Sequence, residues 1–171
     1  QTDGTVKAVG TIAEAVGTEA NFTTNITDYA QVVADPDTGK TVIAYQDYAD
    51  SEKGYVVIAT PTASGTITYG TPVLFSTPGK YIGMSYDTGQ DKVLLTYIGN
   101  SNQPKARVGT VSGTSISFGT ELNLENDTCT HTAVAYSPDL GSHLMVYDYN
   151  STSGKARVLT ISGTYASALS S

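Results

Sequence analysis

Few side chains in this sequence could perform acid–base or metal chemistry. His131 and His143 are the only histidines, and they fall in different predicted strands. A catalytic or zinc site would need partners of suitable type and spacing, and none surrounds either histidine. The sequence also lacks a nucleophile elbow, a phosphate-binding loop and a dinucleotide fingerprint. We therefore expect a protein that is not an enzyme and has no cofactor, with both histidines as polar residues on strand faces.

Two predicted turns carry paired carboxylates. Asp35 lies near Asp37, and Asp87 lies near Asp91. Calcium takes six to eight oxygen ligands, which is more than either turn offers. Aspartates also occur in turns because they hydrogen-bond their own backbone. These four residues are weak calcium candidates, and we expect turn chemistry with no bound metal.

The tyrosines are the best candidates for ligand binding. Tyr45, Tyr97 and Tyr147 recur at intervals of 52 and 50 residues, which favours a packing role between repeated units. Tyr48 and Tyr149 lie in the loops that follow. A tyrosine beside Asp and Asn can stack on a sugar ring and hydrogen-bond its hydroxyls. Tyr48 and Tyr149 are therefore candidate carbohydrate-binding residues.

Composition excludes some partners and indicates a compartment. The net charge of -7 argues against nucleic acid, and no apolar run is long enough to form a membrane helix. Cys129 is the only cysteine, so an intrachain disulfide is impossible, and we expect a buried thiol. The chain begins with Gln1 rather than Met, as a processed secreted protein would. Candidate N-glycosylation sites occur at Asn21, Asn25, Asn126 and Asn150. These features favour a secreted glycoprotein.

A unit of about 50 residues recurs along the chain. The segment 105–111 (KARVGTV) returns at 155–161 (KARVLTI) and, without the Arg, at 7–12 (KAVGTI). One unit divides into four short apolar runs bounded by Gly, Asp, Asn and Pro, which predicts antiparallel strands joined by hairpins.

The repeat predicts an all-β fold of about three and a half four-stranded units that resemble propeller blades. A β-sandwich formed by stacking the units is the alternative. We expect one domain, 1–171, with an N-terminal half unit that is a candidate donor strand and an incomplete last unit. The boundaries are 1–27 for the half unit, then 28–80, 81–129 and 130–171.

The strings 109–120 (GTVSGTSISFGT) and 45–47 (YQD) resemble a repeat of long surface, fibre and virion proteins of marine bacteria and their phages. That resemblance implies a propeller-like fold and an extracellular fibre, appendage or adhesion role. The Asp of the strand-end motif is replaced by Gly99 in the second unit and by Tyr149 in the third, which argues against a ligand role for Asp47.

The phase of the repeat predicts assembly. The first unit has only its second half, and the last strand of the final unit is weak or missing. An unpaired β edge is a template for another strand, so the N-terminal segment could pair within its own chain or complete a second copy. The apolar residues that would mediate this are Val6, Val9, Ile12, Val16 and Phe22. We expect a structural protein of an extracellular surface filament, fibre or virion, which self-assembles head to tail by strand complementation. A carbohydrate-binding adhesion module, of lectin or phage receptor-binding type, is the alternative.

Overall fold

The computed structural model describes residues 17–169, and these residues fold as strands and turns with one 3₁₀ turn, Asn100–Asn102. The strands form three antiparallel sheets in chain order. The prediction of an all-β fold of repeated four-stranded antiparallel units is therefore confirmed. No helix within residues 17–169 has the length and apolarity needed to cross a bilayer.

In each sheet the first four strands form a meander in which successive strands pair, and in sheets 1 and 2 a fifth strand also pairs with the third. Sheet 1 contains β1 (Thr27–Asp35), β2 (Lys40–Asp47), β3 (Lys53–Pro61), β4 (Ile67–Tyr69) and β5 (Val73–Ser76). Sheet 2 contains β6 (Lys80–Asp87), β7 (Lys92–Ile98), β8 (Pro104–Ser112), β9 (Ser115–Phe118) and β10 (Leu122–Asn123). Sheet 3 contains β11 (Cys129–Ser137), β12 (Ser142–Tyr149), β13 (Ser153–Ser162) and β14 (Tyr165–Ala168).

Successive sheets pack face to face, with β1 beside β6 and β6 beside β11. Side chains alternate between the two faces of a strand, so the middle sheet must be apolar on both. In β7, Val93, Leu95 and Tyr97 join the core shared with sheet 1. Leu94 and Ile98 join the core shared with sheet 3. Because β7 is buried on both faces, its sequence is a nearly continuous apolar run.

The fourth strand of sheets 1 and 2 is broken, where the sequence predicted one continuous strand. β4 and β5 both pair with β3, and β9 and β10 both pair with β8. The breaks contain Gly70 and Gly119. A Cβ on Gly70 would lie 1.8 Å from the carbonyl oxygen of Thr114 in sheet 2, and one on Gly119 would lie 1.8 Å from that of Thr164 in sheet 3. The chain therefore leaves the ladder where the next sheet approaches too closely for a side chain.

Sheet 3 has a fourth strand, although the sequence predicted a weak or missing one. β14 pairs with β13 over four residues, from Ser162↔Tyr165 to Leu159↔Ala168. It corresponds to β4 and β9. The described chain ends at 169, before any counterpart of β5 or β10. The three sheets span 27–76, 80–123 and 129–168, beside the predicted units 28–80, 81–129 and 130–171.

Candidate assembly interface

Each sheet has two faces, and the side chains of its second strand alternate between them. We call the face that meets the preceding sheet the front face and the one that meets the following sheet the back face. Tyr45, Tyr97 and Tyr147 lie on the front faces and are 2%, 0% and 3% exposed. Their predicted role in packing between units is thus confirmed.

The first strands of the three sheets are joined by a stack of aromatic rings. Tyr29 contacts Tyr81 with ring centroids 4.6 Å apart, and Tyr81 contacts His131 at 4.4 Å. All three lie at the register shift of their strand, with φ of 51°, 48° and 49°. A left-handed backbone is costly for such residues, so a recurring contact must hold it. We call these residues the aromatic stack.

The aromatic stack was missed by sequence reasoning. Its members are separated by 52 and 50 residues, as are the buried tyrosines, so the spacing was the available signal. The third member is a histidine, so the set does not appear as a recurring tyrosine in the sequence.

A second recurring contact places an apolar residue of one unit on the front-face tyrosine of the next. Phe75 packs edge-on against Tyr97 with centroids 5.0 Å apart. Phe22 packs on Tyr45 in the same way, at 5.1 Å. Leu124 takes the corresponding place in the core that contains Tyr147.

The N-terminal half unit, as far as the structure describes it, lies on its own chain. Besides the Phe22 contact, the hydroxyl of Tyr69 donates a hydrogen bond to the carbonyl oxygen of Ala20 at 2.9 Å. Gly17 lies against Gly65 of the β3–β4 turn. Residues 17–22 therefore cover part of the front face of sheet 1 as a preceding unit would. The other predicted assembly residues, Val6, Val9, Ile12 and Val16, lie outside the described residues.

In the part of the chain that the structure describes, no sheet packs on the back face of sheet 3. Leu144, Val146 and Val158 are 52%, 44% and 37% exposed. Register places Leu94, Thr96 and Val108 of sheet 2 at the same positions, and sheet 3 buries them completely. Sheet 3 thus ends in an apolar face of the kind that sheets 1 and 2 bury.

A cavity of about 350 Å³ opens on that face beside the last member of the aromatic stack. Its walls include His131, Ala133, Val146 and Lys155. At the matching place on sheet 2, Thr132 of sheet 3 donates a hydrogen bond to the carbonyl oxygen of Tyr81 at 2.7 Å. The cavity on sheet 3 therefore lies at the position where, on sheet 2, the first strand of the next sheet packs.

The front face of sheet 1 is also only partly covered by residues 17–169. Val32 of β1 is 64% exposed and faces the same side as its half-buried partner Ile43. Phe22, Ala20 and Gly17 contact β2, β4 and the β3–β4 turn, respectively. Both ends of the array therefore present apolar side chains.

The acidic turns are bonded internally. Oδ1 of Asp35 accepts from the backbone N–H of Asp37 and of Thr38, and Oδ2 accepts from the Thr38 hydroxyl at 2.6 Å. Burial alone would raise the pKa of Asp35, but these bonds hold it below its usual value.

Asp87 caps its turn in the same way, through the N–H groups of Gly89 and Gln90. The turns of sheets 1 and 2 also approach each other, and the neighbouring Asp91 carboxylate raises the pKa of Asp37. No group of three metal-ligating side chains occurs between residues 17 and 169.

His143 is buried, contrary to the expectation of a polar strand-face residue without partners. Its Nδ1 lies 2.8 Å from the Ser85 hydroxyl, and its Nε2 lies 3.4 Å from Oδ2 of Asp87. Burial lowers the pKa of His143 although Asp87 opposes this. All three groups are less than 9% exposed, so a substrate has no access, and the set joins sheets 2 and 3.

The two candidate sugar-binding tyrosines differ. Tyr48 is 60% exposed. Tyr149 is half-buried, its hydroxyl donates a hydrogen bond to Asp127, and the ammonium of Lys155 lies 3.1 Å from its ring centroid. Protein groups thus already occupy the surfaces of Tyr149 that a sugar would use.

The side chains that could be chemically modified are the four sequon asparagines and Cys129. The four sequon asparagines, Asn21, Asn25, Asn126 and Asn150, are all exposed. Asn25 donates its amide to Asp47 at 2.7 Å. The Cys129 thiol is 1% exposed, and burial raises its pKa.

No family model and no curated protein matches this sequence. Among solved structures it is similar to the crystal structure of TolB from Acinetobacter baumannii, with 16% sequence identity and a TM-score of 0.40. The match covers 82% of this chain and 40% of that one. The chain therefore spans less than half the length of the structure it matches.

Proposed function

We propose that this chain is an extracellular, non-enzymatic structural protein that builds a fibre by stacking β units. The single observation that carries the proposal is the exposure of Leu144, Val146 and Val158 at positions that are buried in the preceding sheet. A contiguous exposed apolar face is typical of an interaction surface.

The partner that we propose for this face is the N-terminal end of a second copy. The opposite end of the array also exposes an apolar residue, Val32, and one surface docking on a different surface is a heterologous contact. Such a contact extends into a filament when its rotation does not close a ring. His131 would then contact the next aromatic ring of a continuing stack.

The contacts within the chain favour packing of copies face to face over addition of a strand to the edge of a sheet. Within residues 17–169, the units pack through their faces, and each strand pairs only within its own sheet. Residues 17–22 add to their own sheet 1 by packing on its face. We therefore propose face-to-face stacking between copies, with the first and last units completing each other.

The extracellular location is supported by the four exposed sequon asparagines, since glycans require surface positions. Intact-mass measurement of native material before and after removal of N-linked glycans would test it. Loss of mass at these sites supports the location, and an unmodified chain argues against it.

Light scattering and electron microscopy of the purified chain test the assembly. We expect oligomers that lengthen with concentration, and we expect Val146→Glu to reduce them to monomers because it places a charge in the buried junction. Leu140→Glu is the matched control, because Leu140 is 78% exposed at the β11–β12 turn, away from both faces. A parent chain that stays monomeric at every concentration would overturn the proposal.

A further inference from the structure

We propose that the outer edge of the junction between sheets 1 and 2 is a binding site for a small organic carboxylate, such as a sugar acid. The internal repeat allows this junction to be compared with the one between sheets 2 and 3. The proposal does not depend on fibre formation.

Both junctions contain a Lys-x-Arg pair at the same register. Tyr97 pairs with Lys105, and Tyr147 pairs with Lys155, which places Arg107 and Arg157 at matching positions.

Between sheets 2 and 3 one carboxylate, from the segment that follows sheet 2, binds both basic side chains. Oε2 of Glu125 accepts hydrogen bonds from Lys155 at 3.2 Å and from Nη2 of Arg157 at 3.4 Å. Nε of Arg157 donates to the Tyr147 hydroxyl at 3.1 Å. The arginine is therefore held by a carboxylate and a phenol.

Between sheets 1 and 2 that carboxylate is missing. Phe75 occupies the place of Leu124, so the residue that follows it, Ser76, stands where Glu125 stands in the other junction. The Ser76 hydroxyl donates to the Pro78 carbonyl oxygen at 2.6 Å. The preceding sheet thus supplies no negative charge here.

The remaining acid, Glu121, is engaged by other groups. It accepts hydrogen bonds from Lys105 and from the Tyr97 hydroxyl. Nε of Arg107 lies 3.8 Å from Glu121, beyond hydrogen-bond distance, and has no partner in the part of the chain that the structure describes. In this junction the carboxylate is therefore hydrogen-bonded to the lysine and not to Nε of the arginine, whereas Glu125 binds both basic side chains of the other junction.

A cavity of about 270 Å³ lies beside these charges. Its polar walls are formed by Ser76, Thr77, Asn100, Lys105, Arg107 and Glu121. The side chain of Arg107 is 29% exposed and lines this cavity, although its Nε atom is buried. Arginine binds carboxylates with charge-assisted hydrogen bonds, and the hydroxyl and amide groups can bind the hydroxyls of a sugar.

The ligand that fits is a monosaccharide-sized molecule with one carboxylate, which would take the place of Glu125 in the other junction. The cavity is too small for a long chain, and its net charge of +1 from Lys105, Arg107 and Glu121 matches one anionic group.

Titration calorimetry with glucuronate tests the proposal, with glucose as the neutral probe and acetate as the carboxylate alone. We expect glucuronate to bind, glucose to bind at least about tenfold more weakly, and Arg107→Gln to lose about tenfold or more in affinity. Acetate binding with the affinity of glucuronate would identify the site as one for any carboxylate. Equal binding of glucose and glucuronate, or no binding, would overturn the proposal.

The variant Ser76→Glu separates loss of the site from loss of the fold. It inserts the carboxylate that the other junction has, so we expect binding to fall at least about tenfold while the melting temperature stays the same or rises. Leu140→Glu, which adds a carboxylate at an exposed turn outside the cavity, should bind glucuronate like the parent. A Ser76→Glu protein that is folded and still binds with parental affinity would also refute the site.

Discussion

The hydroxyl of Tyr86 in sheet 2 donates a hydrogen bond to Oδ1 of Asp35 in sheet 1, at 3.1 Å. Both groups are buried, so water does not compete with the bond. Burial and the Asp35 carboxylate together raise the pKa of Tyr86. The turn that the sequence offered as a weak calcium site therefore uses its buried carboxylate to bind the next sheet.

We expect Tyr86→Phe to lower the free energy of unfolding by about 1.5–3 kcal/mol, because it removes a buried hydrogen bond to a charged group. Urea denaturation at neutral pH measures this. Tyr48→Phe, at a tyrosine that is 60% exposed, is the control and should leave stability unchanged. Equal stability of Tyr86→Phe and the parent would show that the bond does not join the sheets.

The second prediction concerns acid sensitivity at the junction of sheets 2 and 3. The groups that face the His143 ring are Ser85 and Asp87 from sheet 2 and Tyr136 from its own sheet. The pKa of His143 is lowered below its ordinary value of 6.5, so the unfolded chain binds this proton more readily than the folded one. The contribution of His143 to the free energy of unfolding is therefore fully present above pH 6.5. It is lost as the pH falls toward and through the lowered pKa of the folded state.

We expect the parent to lose stability through this histidine between pH 7.5 and 5.5, by no more than about 1.4 kcal/mol, because only one pH unit of that range lies below 6.5. His143→Val, which inserts the residue that sheet 2 has at this register, should reduce that slope even if it lowers stability overall. The pKa values of Asp35 and Glu121 are also lowered, so the stability that these carboxylates contribute is lost only at more acidic pH. Proton NMR of the folded chain gives a direct check, since an imidazole of His143 that titrates at 6.5 would contradict the prediction.

The sequence predicted those features that depend on one strand at a time. Tyr45, Tyr97 and Tyr147 were found because a packing position recurs whenever its unit recurs. The buried set of Ser85, Asp87 and His143 was not, because residues 58 positions apart meet only when two sheets pack. Short-range spacing carries no signal for such a contact.

The aromatic stack escaped prediction for a different reason. Tyr29 and Tyr81 adopt left-handed φ angles, which local sequence preference assigns to Gly, Asn or Asp. Contacts between sheets override that preference here. The exposed face of sheet 3 was likewise unpredictable, because β12 has an apolar pattern like that of the buried β7.

The third prediction tests how residues 17–22 attach. Phe22 is half-buried against Tyr45, and its ring centroid lies 6.4 Å from that of Tyr69. We expect Phe22→Ala to cost about 1–3 kcal/mol, less than Phe75→Ala at a fully buried site, where about 3–5 kcal/mol is usual. Phe22→Leu should restore most of the loss, because Leu124 fills the same position in sheet 2. Chemical denaturation of the three variants measures the series, and an unchanged stability of Phe22→Ala would place the segment elsewhere in solution.

The last prediction uses Cys129 as a reporter of the junction between sheets 2 and 3. Its thiol is buried with Met145, its Sγ lies 3.5 Å from the Asp127 carbonyl oxygen, and burial raises its pKa. The reactive thiolate is therefore scarce and shielded until β11 separates from its neighbours. We expect an aromatic disulfide reagent to label the folded chain at least about a hundredfold more slowly than the urea-unfolded chain. Met145→Ala opens a cavity in the same core and should speed labelling, whereas Leu140→Ala at the exposed turn should not. Labelling of the folded parent within a few-fold of the unfolded rate would mean that this junction opens freely in solution.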